Sequence, residues 1–234
     1  NDRNGNGQPD VGEATYANGS QAVAIGSLAG AEGTGALALG SQAVAVGEGT
    51  LAAGRSSVAD GDGGTAVGDD SGAFGTDASA LGRGAHAGAD YATAVGATAL
   101  AQGEGSVAVG TGATATAQRA MAQGYGAVAT ADSAIALGDA STAQGAGAVA
   151  LGSLSTARGY AALALGGEAQ ANGNSSIALG TAAVADAPSS VAVGAGAISD
   201  GDFSSAFGPQ AWAGGAGSVA QGMGAQAEGW RGIA

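Results

Sequence analysis

Small and apolar residues alternate along this chain in short runs, and each run ends in glycine. Ala22-Val23-Ala24-Ile25-Gly26, Ala36-Leu37-Ala38-Leu39-Gly40, Ala134-Ile135-Ala136-Leu137-Gly138 and Ser190-Val191-Ala192-Val193-Gly194 show the pattern. Alternation at period two with β-branched residues predicts a strand. The terminal glycine recurs at 26, 40, 54, 68, 82, 96, 110, 124, 138, 152, 166, 180, 194, 208 and 222, a period of 14 without a slip. A second set stands seven residues away, at 19, 33, 47, 61, 75, 103, 145, 159, 173, 201, 215 and 229, with Ala in that slot at 89, 117, 131 and 187. Glycine at that frequency excludes a helix, at ~1 kcal/mol each relative to Ala. Two short strands and two turns per 14 residues predict the coil of an all-β solenoid or roll.

The alternation also assigns faces. The residue two before each first-set glycine is Ala in every coil, and the second strand repeats Ala at 17, 31, 45, 59, 73 and onward. Two walls of Ala imply a very narrow interior, with sheets closer than the ~10 Å of ordinary sandwiches. Both glycine sets are expected to turn the chain at its edges with positive φ. The large apolar residues of the first strand then point outward as a stripe. It comprises Val23, Ile25, Leu37, Leu39, Val107, Val109, Ile135, Leu137, Val149, Leu151, Leu163, Leu165, Ile177, Leu179, Val191 and Val193. The residue before the second glycine set is mostly polar (Glu32, Asp60, Gln102, Arg158, Asn172, Asp186, Asp200), so the other outer face is expected to be solvated. An exposed stripe of this length predicts self-association, each side chain gaining ~1.5–3 kcal/mol when fully buried. Cyclic symmetry would close such an assembly. Gln123 and Gln221 interrupt the stripe, as rings of amides on an axis or as local faults.

Composition agrees with a solenoid and narrows the partners. Of 234 residues, 48 are Gly and only 4% are aromatic, too few large side chains for an ordinary core. The net charge is −13, with six Arg and no Lys. Nucleic acid and anionic membrane surfaces are therefore excluded as partners, since both need clustered cations. There is no Cys, hence no disulfide framework or thiolate site. No apolar run is long enough to span a bilayer, and no targeting segment opens the chain.

The strings SQAVAIG (20–26), GALALG (35–40), SVAVG (106–110), SAIALG (133–138), SSIALG (175–180) and SSVAVG (189–194) resemble the head repeat of trimeric autotransporter adhesins, the YadA-like head. The resemblance covers about residues 14 to 234. It implies a left-handed parallel β-roll, packed by its apolar strands into a homotrimer. It also implies a bacterial cell-surface adhesin that holds extracellular matrix proteins, host cells or other surfaces. Outer-membrane attachment would come through a stalk and anchor absent from this chain, which reads as a head fragment. The domain division is an acidic N-terminal loop, 1–13, followed by the roll, 14–234.

That loop fits D-x-[DN]-x-[DN]-G-x5-E, a spacing that wraps Ca²⁺. Asp2, Asn4, Asn6, Gln8, Asp10 and Glu13 would supply the oxygens, and Gly7 the bend. Asn in place of Asp predicts weak affinity, ~10⁻⁴–10⁻³ M; a chance match in an acidic end is the plainer alternative. Catalytic patterns are absent, so an enzyme is not expected. The single His86 falls at an outward position and is expected to be solvated, and no base is placed to activate a serine. The aspartates at 60, 62, 69, 70 and 77 read as solvated turns before they read as a cation site. Trp212, outward on a second strand, and Trp230, in a turn, are the candidate ligand contacts.

Three functions compete. The first is a non-enzymatic adhesin head acting by avidity. The second is a structural spacer of a surface fibre. The third is an ice-binding β-solenoid, which needs a sustained outer array of Thr; Thr114, Thr116, Thr130, Thr142 and Thr156 supply a short one.

Overall fold

The structure is a computed structural model that describes residues 14–234. Those residues form strands and turns and no helix. The chain divides into two compact units, Asn1–Ala113 and Thr114–Ala234, and the described residues of each form a parallel β-solenoid. In the first unit, three-residue strands run from Val23–Ile25 through Leu37–Leu39 and Leu51–Ala53 to Val107–Val109. Two-residue strands run from Tyr16–Ala17 through Gly30–Ala31 and Val44–Ala45 to Leu100–Ala101. The second unit repeats the scheme, with long strands from Met121–Gln123 to Val219–Gln221 and short ones from Thr114–Ala115 to Gln226–Ala227.

Every pairing is parallel and steps by one coil. Val23, Ala24 and Ile25 lie beside Leu37, Ala38 and Leu39; Ile135, Ala136 and Leu137 lie beside Val149, Ala150 and Leu151. Like residues therefore stack in columns, and the 14-residue period of the sequence becomes the register of the sheets. A one-residue slip would turn the alanines out and the large side chains in.

The interior is as narrow as the alanine walls require. Every buried apolar side chain among the described residues is Ala, and the buried polar ones are Thr50 and serines. Most of these hydroxyls donate back to the carbonyl three residues earlier, as Ser57 to Gly54 (3.0 Å) and Ser155 to Gly152 (2.8 Å). Ser199 and Ser204 meet across the interior at 2.6 Å. Ser106, Ser176 and Ser218 are buried without a partner among the described residues.

The two glycine sets serve different needs, which corrects the expectation that both supply positive φ. First-set glycines do so, as Gly40 (φ 133°) and Gly152 (φ 134°). Second-set glycines such as Gly33 and Gly159 have no positive φ. They are small because the next coil passes directly over them: a Cβ on Gly33 would overlap the Gly47 carbonyl. The left-handed residue of each turn lies two places after the glycine and is often not glycine, as Gln42 (φ 61°) and Leu154 (φ 58°). The turn closes from Ala43 N to Gly40 O (3.3 Å), with positive φ at its third residue as in a type II turn.

Candidate functional site: the two outer faces

With the interior filled by methyl groups, function falls to the outer faces and corners. The long-strand sheet turns its large apolar side chains outward. Val23, Ile25, Leu151, Leu165, Ile177 and Leu179 are exposed, Ile25 to 61%. In the corresponding columns of the first unit Leu37, Leu39, Val107 and Val109 are half-buried, as are Ile135, Leu137, Val149, Leu163, Val191 and Val193 in those of the second. Among the described residues no charged side chain enters these columns. Gln123 lies in register with Leu137, and Gln221 with Phe207, both exposed.

The short-strand sheet carries two outward columns. The one before the second glycine set is mostly polar as expected, with Val46 and Phe74 as its large apolar members. It builds a hydrogen-bonded ladder in which Arg158 Nη1 donates to Asn172 Oδ1 (2.7 Å) and Asn172 Nδ2 donates to Asp186 Oδ1. The other column corrects the expectation of a wholly solvated face. It holds Val44, Val58, Leu100, Val128, Val184 and Ile198 as well as Thr, because the outward side of a two-residue strand is half-shielded by neighbouring coils. Thr114, Thr142 and Thr156 share this column but Val128 interrupts them, and Thr116 and Thr130 give way to Gln144. The threonines thus form no sustained array.

Four rings lie on this sheet. The Tyr16 hydroxyl donates to Glu32 Oε1 (2.9 Å), which raises the phenol's pKa. Trp212 is half-buried and its Nε1 donates to Asp200 Oδ2 (3.0 Å). Phe74 and His86 pair with centroids 4.8 Å apart and planes 33° apart. His86 is therefore not the freely solvated residue expected from its outward position: it is half-buried and its Nδ1 is enclosed without a partner among the described residues. Sequence reasoning missed the stacking because Phe74 and His86 are 12 residues apart and meet only through the coil register. Trp230, by contrast, stands open at 72% exposure, with the Arg231 guanidinium 4.3 Å from its ring centroid.

Two of the clustered aspartates, Asp62 and Asp69, are engaged at the corners. Arg55 grips Asp69 with two bonds, Nε to Oδ1 (2.8 Å) and Nη2 to Oδ2 (2.7 Å). That grip holds the Asp69 carboxyl below its ordinary range. Asp62 accepts from the Glu48 amide and Asp90 from the Thr76 amide, both at 2.8 Å. These carboxylates tie one coil to the next, and among the described residues no group of three His, Cys, Asp or Glu could hold a metal. The proposed calcium ligands Asp2, Asn4, Asn6, Gln8, Asp10 and Glu13 lie outside the described residues.

Stacked 14-residue coils with an alanine interior define a parallel β-solenoid. The chain belongs to the YadA head domain repeat family. The family's two-copy repeat model matches residues 11–29, 17–43, 31–57, 45–71, 73–99, 87–113, 101–127, 115–141, 129–155, 143–169, 157–182, 171–197 and 199–229. Such heads are surface-exposed parts of autotransporter adhesins, which gives the chain an adhesin-type function and a cell-surface location. No curated protein matches the chain significantly. Among solved structures it is similar to the collagen-binding domain of the Yersinia adhesin YadA, at 23% identity over 78% of this chain and 70% of that one, with a TM-score of 0.25.

Proposed function

We propose that this chain is the head of a bacterial surface adhesin and that it works as a homotrimer closed through the long-strand face. The observation that carries the reading is the outward apolar stripe free of charge, alongside an interior that has no use for large side chains. Water contact with such a stripe is unfavourable, and three-fold closure would remove it. The short-strand faces and the corners would then point away from the axis in three copies, so that weak contacts add by avidity. Extracellular matrix proteins or cell surfaces are the targets on this reading, with outer-membrane attachment supplied elsewhere in the parent protein. The 1–13 loop would bind Ca²⁺ weakly and cap the 14–234 roll.

Solid-phase binding of the chain to immobilised collagen, fibronectin and laminin tests the adhesive part. Saturable binding above an albumin control is expected. Binding to all three no greater than to albumin would make the chain a spacer for another binding element.

A further inference from the structure

On the outward face of the short-strand sheet, rings and glycines match one to one. Among the described residues the outward positions hold four glycines, Gly30, Gly72, Gly88 and Gly214, and four rings, Tyr16, Phe74, His86 and Trp212. Each ring lies across one glycine. A Cβ on Gly30 would fall 2.5 Å from Tyr16 Cζ, and one on Gly72 would overlap Phe74 Cε2. On Gly88 it would sit 3.3 Å from His86 Cε1, and on Gly214 3.0 Å from Trp212 Cζ2. A bare glycine weakens a strand, and a ring laid over it compensates.

That accounts for all four rings as structure, but one place has chemistry left over. Tyr16 and Trp212 spend their polar atoms on neighbouring carboxylates. Asp60 stands one coil before Phe74 in the same outward column, and its exposed carboxylate has no partner among the described residues. Phe74 is 40% exposed, and His86 packs against it as its support. The backbones of Asp60 and Phe74 stand one coil step of ~4.8 Å apart, and an exposed ring with a carboxylate in the neighbouring coil complements a planar cation. A guanidinium stacks on the ring while its N–H groups reach the carboxylate. This molecule already uses both halves of that geometry: Arg55 spans one coil step to Asp69, and Arg231 stacks on Trp230. Charge favours the same occupant. Among the described residues of the first unit this face carries Glu32 and Asp60 and no Arg or Lys, and the whole chain is at −13.

We propose that Phe74 and Asp60, with His86 as a positioning residue, form a site for an arginine side chain of a basic partner protein. The proposal deepens the adhesin reading and rests on it for the partner's being met at the cell surface.

Fluorescence anisotropy of the whole chain with a labelled arginine-containing basic peptide tests it, against the same peptide carrying citrulline, which keeps the shape and loses the charge. The arginine peptide should bind at least tenfold tighter. Phe74→Leu and Asp60→Asn should each weaken it by about three- to thirtyfold, Phe74→Trp should retain it, and Tyr160→Leu, removing an exposed ring in a turn, should leave it unchanged. Equal binding by Phe74→Leu and the native chain would reduce the effect to diffuse attraction by an acidic surface and overturn the site. Equal binding of the citrulline peptide, or displacement by a neutral oligosaccharide, would overturn it as well. Matrix binding that persists while Phe74→Leu leaves peptide affinity unchanged would sink this site alone. Failure of the native chain to bind any matrix protein would sink the adhesin reading, and the peptide comparison would still stand on its own.

Discussion

At the scale of single residues, the fold is governed by how little room each place allows. Gly152 combines positive φ (134°) with a neighbouring carbonyl where a Cβ would sit, whereas Gly49 has positive φ (66°) with open space around it. Gly49→Ala should therefore cost about 1–2 kcal/mol, the left-handed penalty alone. Gly152→Ala should cost more than that, because strain and overlap add. Denaturant midpoints for the two variants give the ordering; equal losses would show that coil stacking is looser than described. The interior serines allow a test of sign. Ser57→Ala removes a made hydrogen bond and should destabilise by ~1 kcal/mol, whereas Ser106→Ala removes an unpartnered buried hydroxyl and should be neutral or stabilising.

At the scale of the coil, alignment of like residues every 14 positions turns side chains into rungs. Asp69 is the clearest case. Its carboxyl is held low by the Arg55 grip, so the contribution of the pair is complete above the unfolded carboxylate pKa. It is lost as pH falls through the lowered folded value. An NMR titration should find Asp69 below the usual carboxylate range, and Arg55→Gln should return it there; an unshifted Asp69 in the native chain would deny the rung. The N-terminal loop is testable at the same scale. Calorimetry should show Ca²⁺ binding at about millimolar metal, weakened in Glu13→Gln, and no heat in the native chain would make the spacing a coincidence.

The coil was also the scale most legible in sequence. Period, strand positions, the alanine interior and the outward stripe all follow from alternation and glycine spacing, because each is a local property repeated. Three features were not legible. The role of the second glycine set depends on how closely one carbonyl passes the next coil at Gly33 and Gly47. The apolar column of Val44, Val58 and Leu100 was obscured by its neighbours, since a strand of two residues gives alternation little length to show. The Phe74–His86 pair depends on stacking across coils, although the alternation of ring and glycine at 72, 74, 86 and 88 is a signal that could have exposed it.

At the scale of the whole molecule, the account rests on the long-strand stripe being an interface. Leu137→Asp together with Leu151→Asp would bring a cluster of charges into a dry seam, where desolvation outweighs any gain. The double variant should dissociate or unfold, while Asp139→Asn, outside the stripe, should do neither. The most direct measurement is the mass of the native chain in solution. Each chain is 21.3 kDa. Sedimentation equilibrium should return about three times that mass at micromolar concentration, and a stable, folded monomer would contradict the account.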